Sequence, residues 1–307
     1  MVDVDAEQWC LVVEKQEAEQ TRRRLLEEGL LDRRYKPRSE GDAVLLPVTE
    51  EIAGTTRRTF VTVPQRADLP RHDLVGGIAI LQEDDPEAAK RLLASRPSLH
   101  TVLFPETPVE GEYRTRRFAV LAGTPTTRTR VTEYGLRFDV DLAHAYFSAR
   151  LSTERQRILG MMEEGERVLD MFAGVGPFAI TLARRAELVV AADLNPAAIH
   201  LLIQNIALNR TGNVIPALAD AAHLPRIGLA PFDRVVMNLP LAAPAFLPAA
   251  AALCREGGTI HLYALEEREG EYLPHIRAVT AGNVVERQVR TYSPGKWHAV
   301  YDIEKEG

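Results

Sequence analysis

RVLDMFAGVGPFAITLARR, residues 167–185, combines a strand, a glycine-rich turn and the start of a helix. The strand ends at Asp170, and Gly174 and Gly176 form the turn. Glycine has no Cβ, so it lets a ligand lie against the backbone and tolerates positive φ angles. In an open α/β sheet, ligands bind at the carboxyl ends of the strands, where such turns lie. The segment therefore predicts a nucleotide-binding turn.

The alternation of strands and helices continues to the end of the chain. LVVAADLNPAAIHLLIQNIALN, residues 188–209, repeats the order of strand, acidic turn and helix, and a further helix is predicted over 245–254. More strands are predicted at 214–220, 232–240, 259–265, 282–293 and 297–303. Strands that alternate with helices are typical of a parallel, doubly wound sheet, and the last two strands are compatible with an antiparallel pair.

The first half of the chain has a different, α+β pattern. WCLVV (9–13) and AVLLPV (43–48) are predicted strands on either side of a charged helix over 15–28. In the following segment, a helix is predicted over 86–94 and strands over 74–81, 99–104, 118–123, 127–135 and 136–140. We therefore predict three domains, at residues 1–60, 61–142 and 143–307.

The composition is that of an ordinary globular protein. The chain has 307 residues, of which 46% are hydrophobic and 26% charged. No apolar run approaches the roughly 18 residues of a membrane helix, and the acidic start MVDVDAEQW lacks a signal-peptide pattern. Cys10 and Cys254 lie far apart and outside any metal-ligand spacing. We expect a soluble cytoplasmic protein without a metal.

The charge is unevenly distributed along the chain. The net charge of −6 argues against a generic nucleic-acid-binding protein. Residues 22–38 nevertheless carry seven basic and three acidic side chains, and residues 113–157 carry nine basic and four acidic ones. Both windows are rich in arginine, which pairs with phosphate and stacks on bases. Solvated faces of an arginine-rich protein would give the same charge pattern.

Three features favour S-adenosylmethionine over a dinucleotide, although Gly174-x-Gly176-x-x-Ala179 loosely fits a dinucleotide fingerprint. Asp170 would repel a pyrophosphate and attract an ammonium or sulfonium group. Asp220, at the end of the third strand, can accept from an adenine amino group. Asn238-Leu239-Pro240 resembles the turn of methyltransferases that act on nitrogen. The predicted cofactor-binding residues are Asp170, Phe172, Gly174, Gly176, Asp193, Asn195, Asp220, Asn238 and Pro240.

These features predict a class I (Rossmann-like) S-adenosylmethionine-dependent methyltransferase domain behind two small N-terminal α+β domains. Asp193 follows the next strand, where a carboxylate would hold ribose hydroxyls. Asp193-x-Asn195-Pro196 also fits a simple helix cap. A nicotinamide oxidoreductase is disfavoured because neither a hydride-transfer histidine nor a Tyr-x-x-x-Lys helix is evident.

The chain resembles the archaeal and eukaryotic family of tRNA (guanine-N1)-methyltransferases, which methylate guanosine 37 beside the anticodon. The resemblance runs along nearly the whole chain. EYRTRRFAVLAG, YFSARLSTER, DMFAGVGPF, DLNPAAI and MNLP follow in the family's order, and YFSARLSTER together with MNLP is specific. One departure is Ala149, where the family has proline.

The resemblance implies roles for several residues. It places Glu154 as the base for the N1 proton, Arg114 as the partner of O6, and Asn238 beside the methyl group and target base. It also implies contacts with the tRNA or the target base for Tyr146, Arg150, Arg155 and Arg116. Taken alone, Glu154 also fits a first-turn acid favoured by the helix dipole, and Arg114 fits a phosphate contact.

The implied partner is tRNA, bound through its anticodon loop and its body, by a monomer without a membrane anchor. One alternative is a wybutosine-pathway transferase that moves the aminocarboxypropyl group of S-adenosylmethionine. MNLP argues for methyl transfer, because that sister group generally lacks the Asn-Leu-Pro turn. Another alternative is a non-catalytic protein that binds tRNA or S-adenosylmethionine.

Overall fold

A computed structural model describes residues 5–61, 69–109 and 111–306. The chain divides into two units, Met1–Leu69 and Pro70–Gly307. The predicted fold class, a doubly wound α/β domain preceded by smaller α+β structure, is confirmed. The boundaries of the three predicted domains stay a prediction, and the sheet of the predicted middle domain lies within the second unit.

The first unit is an antiparallel sheet of four strands with one helix. The helix packs Leu25 among the buried side chains of Leu46 and Val48, which accounts for the charged outer face of the helix. The strand order is β2-β3-β1-β4. Its elements are β1 (Asp5–Glu14), α1 (Ala18–Glu27), β2 (Arg38–Glu40), β3 (Ala43–Pro47) and β4 (Thr55–Val61). The sequence does not predict β4, because Phe60 is the one fully buried side chain of that polar strand.

The second unit begins with another four-stranded sheet. Its elements are β5 (His72–Val75), β6 (Ile78–Leu81), α2 (Pro86–Ser95), β7 (Thr101–Pro105) and β8 (Phe118–Gly123). The prediction of one strand over 74–81 is wrong, because the chain reverses at Gly76 and Gly77 and β5 pairs antiparallel with β6. Gly76 has a φ of 55°, and a Cβ there would lie 2.3 Å from the carbonyl oxygen of Arg130.

A two-stranded hairpin follows, formed by β9 (Arg128–Glu133) and β10 (Leu136–Asp141). Tyr134 and Gly135 both have positive φ angles, as a type I′ turn requires. The prediction that Arg128 and Arg130 share one face is confirmed. Both arginines are ion-paired, with Asp141 and Asp139 of the neighbouring strand, so part of the basic window is neutralised within the protein.

The largest element is a seven-stranded sheet with the order β13-β12-β11-β14-β15-β17-β16. The strands from β11 to β15 run parallel, and β17 runs antiparallel to both neighbours. The elements are α3 (Ser152–Met161), β11 (Glu166–Asp170), α4 (Pro177–Leu182), β12 (Ala186–Asp193), α5 (Pro196–Asn209), β13 (Val214–Leu218), β14 (Phe232–Met237), α6 (Leu247–Leu253), β15 (Cys254–Glu266), α7 (Leu273–Arg277), β16 (Val284–Ser293) and β17 (Lys296–Glu304). The strand order reverses between β11 and β14, which is where ligands bind in such sheets.

The helix predicted over 245–254 is shorter than expected. α6 ends at Leu253, and β15 begins at Cys254, so Gly257 and Gly258 lie within a strand rather than after a helix. A Cβ on Gly258 would lie 2.9 Å from the carbonyl oxygen of Asp233, so the glycine permits close strand packing. Apolar clusters cover both faces of the sheet. Within the three described ranges, the structure contains no helix of a length and apolarity that would cross a membrane.

Candidate active site

The glycine turn connects β11 to α4 at the point where the strand order reverses. Gly174 and Gly176 have φ angles of 55° and 92°, which side chains with a Cβ rarely adopt. A Cβ on Gly176 would lie 2.4 Å from Leu202 Cδ1, so this glycine allows α4 and α5 to pack closely. A Cβ on Gly174 would meet the Tyr146 carbonyl oxygen at 3.5 Å. The Gly174 N–H donates to Asp193 Oδ2 at 2.7 Å, which ties the turn to the end of β12.

Two side chains at adjacent strand ends have buried polar atoms that the described part of the chain leaves without a hydrogen bond. Both carboxyl oxygens of Asp170 and the Oδ1 of Asn238 have no hydrogen-bond partner among the described residues. The N–H groups of Phe172 and Ala179 lie near the Asp170 carboxyl and oppose the rise of its pKa, but they do not reach hydrogen-bond geometry. Burial raises the pKa of Asp170 to about 7. Buried polar groups are normally satisfied, so these atoms fit a bound ligand that is cationic or carries N–H groups.

Asp170 should make the unliganded protein less stable as the pH rises. Its folded pKa of about 7 exceeds the ordinary value of 3.8, so its contribution is fully present below pH 4 and is lost as the pH rises through 7. The loss is at most about 4 kcal/mol. We expect Asp170→Asn to remove this loss, so that the variant gains on the wild type between pH 5 and pH 8 in urea unfolding.

The test compares Asp170→Asn with the wild type because other groups change the free energy of unfolding with pH in the opposite direction. Burial lowers the pKa of His261, and it lowers the pKa of His298 to about 4, so both histidines cost stability as the pH falls. These groups are present in both proteins and cancel in the difference. A difference in unfolding free energy that does not change with pH would contradict the prediction.

The other predicted cofactor-binding residues differ in their exposure and in the contacts that they already make within the protein. Asp220 is partly exposed, and its Oδ1 accepts from the Ala222 N–H at 2.9 Å. The ring of Phe172 meets Phe246 edge-on at 5.1 Å. Pro240 is buried, and its carbonyl oxygen accepts from the Leu265 N–H at 3.1 Å. Asp193 is already bonded through both oxygens, to Gly174 and Asn195, and burial raises its pKa.

Asn195 is bonded within the protein through both ends of its side-chain amide. Its side-chain oxygen accepts from the Ala197 N–H at 2.9 Å and caps α5, while its Nδ2 donates to the His144 carbonyl oxygen at 2.7 Å. The buried amide therefore already makes two hydrogen bonds inside the protein. These bonds position the turn after β12, and the cofactor contact predicted for Asn195 stays a prediction.

Glu154 lies in the first turn of α3 and is held by two donors. Its Oε2 accepts from the hydroxyl of Tyr263 at 3.1 Å and from Nε of Arg157 at 2.9 Å. The side chain is 14% exposed. Tyr263 packs at 5.6 Å against Phe178, which follows the glycine turn. Glu154 is therefore a half-buried, oriented carboxylate beside the turn rather than a solvated first-turn acid.

Glu154 is one end of a network of buried and half-buried ionisable groups that the sequence analysis missed. Arg157 donates to both oxygens of Asp302, at 2.6 and 3.1 Å. Nδ1 of His261 lies 2.6 Å from Asp302, and its Nε2 lies 2.7 Å from Arg234. Arg234 pairs with Glu166 at 2.6 Å. Although burial raises the pKa of Asp302, hydrogen bonds from His261 and Arg157 lower it to about 2. The only local sequence signal for this network of ionisable groups is the i, i+3 spacing of Glu154 and Arg157.

Among the residues that the structure describes, Arg114 contacts an aromatic ring and no acidic side chain. Its guanidinium lies 5.0 Å from the ring centroid of Tyr146, a cation–π contact. Its Nε is buried without a partner among the described residues. Its φ of 53° lies in the left-handed region, which is strained for a residue with a side chain. Strain of this kind persists only where the surrounding structure imposes it, and it is concentrated at functional sites.

The remaining predicted contact residues have different environments. Arg150 pairs with Asp73. Arg116 lies 5.1 Å from the ring of Phe118, and burial lowers its pKa. The side chain of Arg155 is 2% exposed and donates to both oxygens of Glu133. This buried ion pair gives Arg155 a structural role, and the tRNA contact predicted for it stays a prediction.

Comparisons with known proteins agree with this arrangement. Residues 129–283 match the model of the TRM5/TYW2 methyltransferase domain, and residues 10–56 match that of the tRNA methyltransferase 5 N-terminal domain. The chain is 38% identical over 320 residues to tRNA (guanine(37)-N(1))-methyltransferase Trm5b of Pyrococcus abyssi, covering 94% of this chain and 96% of that protein. This chain belongs to the TRM5/TYW2 methyltransferase family. The predicted resemblance is confirmed.

Solved structures of the TRM5/TYW2 methyltransferase family share the fold. The crystal structure of Pyrococcus abyssi Trm5b matches with a TM-score of 0.77 and 35% identity, covering 98% of this chain and all of that one. The complex of aTrm5 with tRNALeu matches with a TM-score of 0.73 and 31% identity, covering 97% and 99%. A second branch of the family is represented by the tRNA(Phe) (4-demethylwyosine(37)-C(7)) aminocarboxypropyltransferase of Methanocaldococcus jannaschii, 32% identical over 247 residues, covering 77% of this chain and 98% of that protein.

Proposed function

We propose that this chain transfers a methyl group from S-adenosylmethionine to N1 of guanosine 37 in tRNA. The observation that carries the proposal is the half-buried carboxylate of Glu154, oriented by Tyr263 and Arg157 beside the glycine turn. The unsatisfied atoms of Asp170, Asn238 and Arg114 support it, because they supply polar groups for a cofactor and a purine.

The chemistry explains why these residue types are needed. N1 of guanine carries a proton at neutral pH and is a poor nucleophile until that proton is removed. S-adenosylmethionine, when bound, supplies an activated methyl group on a sulfonium sulfur. Glu154 accepts the N1 proton, and Arg114 stabilises the negative charge that builds on O6. Asn238 orients the base, since its free Oδ1 can accept from a guanine N–H group.

The proposed partner is a whole tRNA, bound by a cytoplasmic monomer. In this proposal the anticodon loop contacts the second unit near Arg114 and Tyr146, and the first unit contacts the tRNA body. Tyr146 is partly exposed and already stacks on Arg114, so its ring can receive an extruded base. The arginines of the first unit's basic window lie mostly on the surface of α1 and the segment after it.

The test is methyl incorporation from labelled S-adenosylmethionine into two tRNA transcripts, one with guanosine and one with adenosine at position 37. We expect label in the first alone, recovered as N1-methylguanosine by nucleoside mass analysis. A product with an aminocarboxypropyl mass would assign the chain to the other branch of the family. No product, with the cofactor and tRNA both bound, would support the non-catalytic alternative and overturn the proposal.

Removing the hydroxyl of Tyr263 should slow the reaction. Tyr263→Phe deletes one of the two donors to Glu154, so the carboxylate is less well oriented toward the base. We expect the single-turnover rate to fall about 10-fold with tRNA affinity unchanged. Tyr301→Phe is the matched control, because Tyr301 is equally buried and bonds Glu266 from the opposite face of β17. Equal rates for the two variants would contradict a positioning role for Tyr263.

Deleting residues 1–69 should weaken tRNA selection more than chemistry. The second unit contains the glycine turn, Arg114 and Glu154, and its strands form their own sheets. We expect the truncated protein to lose affinity for whole tRNA at least about 10-fold, with a smaller loss for an isolated anticodon stem-loop. Fluorescence anisotropy with both RNAs measures the ratio. Equal losses for both RNAs would contradict a contact of the first unit with the tRNA body.

A further inference from the structure

The closing hairpin of the chain, β16 and β17, has two irregularities at one end. The register shifts between Gln288 and Arg290, and again between Thr291 and Ser293. Each shift places one extra residue in β16, as a β-bulge does. Bulges re-aim side chains and are frequent beside active sites. The first bulge places Arg290 directly opposite His298 of β17, whereas a regular ladder would place Val289 there.

This end of the hairpin adjoins the candidate active site. His298 pairs with Leu265 of β15, and the Leu265 N–H donates to the carbonyl oxygen of Pro240, in the turn that carries Asn238. β17 pairs with β15 without a shift, so His298, Val300 and Asp302 share one face of the sheet. Asp302 on that face binds Arg157, the partner of Glu154. His298 is therefore next to the Asn238 turn and on the face that carries the proposed base.

Several buried polar atoms around His298 have no hydrogen-bond partner within the described ranges. His298 is 6% exposed, and its Nδ1 is buried without a hydrogen bond among the described residues. The same holds for the Nε atoms of Arg290 and Arg114. Neither arginine has an ion-pair partner within the part of the chain that the structure describes, whereas Arg128, Arg130, Arg150, Arg155 and Arg157 are all paired.

The electrostatics indicate a site for an anion. Burial and, to a smaller extent, the charges of Arg290 and Arg114 together lower the pKa of His298 to about 4, so the imidazole is neutral. A neutral imidazole can donate one hydrogen bond, and a guanidinium is always charged and donates in a fixed fork. Arg290 and Arg114 are half-buried, and their buried, unsatisfied Nε–H donors are costly unless a ligand compensates them. The second bulge places Tyr292 outside the ladder, where its ring stacks on His298 at 6.0 Å and is 56% exposed.

We infer that Arg290, His298 and Tyr292 form a nucleotide subsite that binds one backbone phosphate of the RNA next to the target base. Arg290 and His298 donate to the phosphate oxygens, and Tyr292 presents a ring face to the adjoining base. Arg114 then keeps its guanidinium for O6 of guanine, since Arg290 compensates the phosphate charge. The inference rests on the proposed function, because it takes RNA to be the bound substrate.

The first test is the salt dependence of tRNA binding. Arg290→Met should weaken tRNA binding about 10-fold and should reduce the slope of log affinity against log salt by about 0.7, the value for one phosphate of a single strand. Lys296→Met is the matched control, since it removes one positive charge from the turn of the same hairpin, where Lys296 pairs with Glu267. An unchanged slope for Arg290→Met, or equal changes for both variants, would overturn the phosphate contact.

The second test identifies the phosphate. Anticodon stem-loops carrying a neutral methylphosphonate at single positions near residue 37 are bound to the wild type and to Arg290→Met. We expect one substituted linkage to weaken binding to the wild type about as much as Arg290→Met does, and to have no further effect on the variant. Additive losses at every linkage would overturn the assignment. If Arg290→Met reduces the slope of log affinity against log salt as expected but the wild type yields no N1-methylguanosine, the proposed function alone is overturned and the subsite stands.

Discussion

Glu154→Gln is expected to lower the single-turnover rate of methyl transfer by a factor of about 10² to 10⁴, because the variant cannot accept the N1 proton. Glutamine keeps the shape of the side chain and an oxygen that can accept from Tyr263. The binding of S-adenosylmethionine and of tRNA should therefore change little. Rapid quench with labelled cofactor measures the rate, and equilibrium dialysis measures cofactor binding.

Glu166→Gln provides a matched control for that variant. Glu166 belongs to the same network of ionisable groups as Glu154. It accepts from Arg234 at the opposite end of that network. If disturbing the network were enough to slow the reaction, both glutamine variants would be slow. We expect Glu166→Gln to lose stability while it retains the rate within about 3-fold. An unchanged rate for Glu154→Gln would remove Glu154 as the base.

Arg114→Met is expected to lower the rate by a factor of about 10² to 10³, the usual effect of losing a donor to a developing oxyanion. Methionine retains contact with the Tyr146 ring but cannot donate to O6. Arg116→Met is the control for lost tRNA binding, since Arg116 lies two residues away, stacks on Phe118 and is itself a predicted tRNA contact, so any deficit of this variant should disappear at saturating tRNA. The deficit of Arg114→Met should persist at saturating tRNA. Its disappearance at saturation would reassign Arg114 to binding alone.

The parts of the site that arise from local sequence were predictable. The glycine turn, Asp170 and the Asn238 turn each follow directly from a strand with a readable pattern. The carboxyl ends of parallel strands meet at one edge, so their convergence needs only the alternation of strands and helices. Arg128 and Arg130 were placed on one face by the two-residue period of a strand.

The parts that depend on distant partners were not predictable. Tyr263 meets Glu154 across 109 residues, and Asp302 meets Arg157 across 145. Arg155 and Arg157 are two positions apart in α3 and therefore point about 200° apart, so one enters a buried pair with Glu133 and the other supports Glu154. The bulges that re-aim Arg290 and Tyr292 depend on the pairing of β16 with β17, which no local pattern reveals.

The buried acid at the end of β11 has a consequence for the thermodynamics of cofactor binding. A carboxyl group that titrates near neutrality in the free protein, with a pKa of about 7, must ionise to pair with a cationic cofactor. Complex formation then releases up to one proton from Asp170, and below pH 7 the association constant rises up to tenfold for each pH unit. The buffer takes up the released proton, so the observed heat of binding should vary with the ionisation enthalpy of the buffer. Through Asp170, the pH of the medium therefore sets how much of the protein carries cofactor.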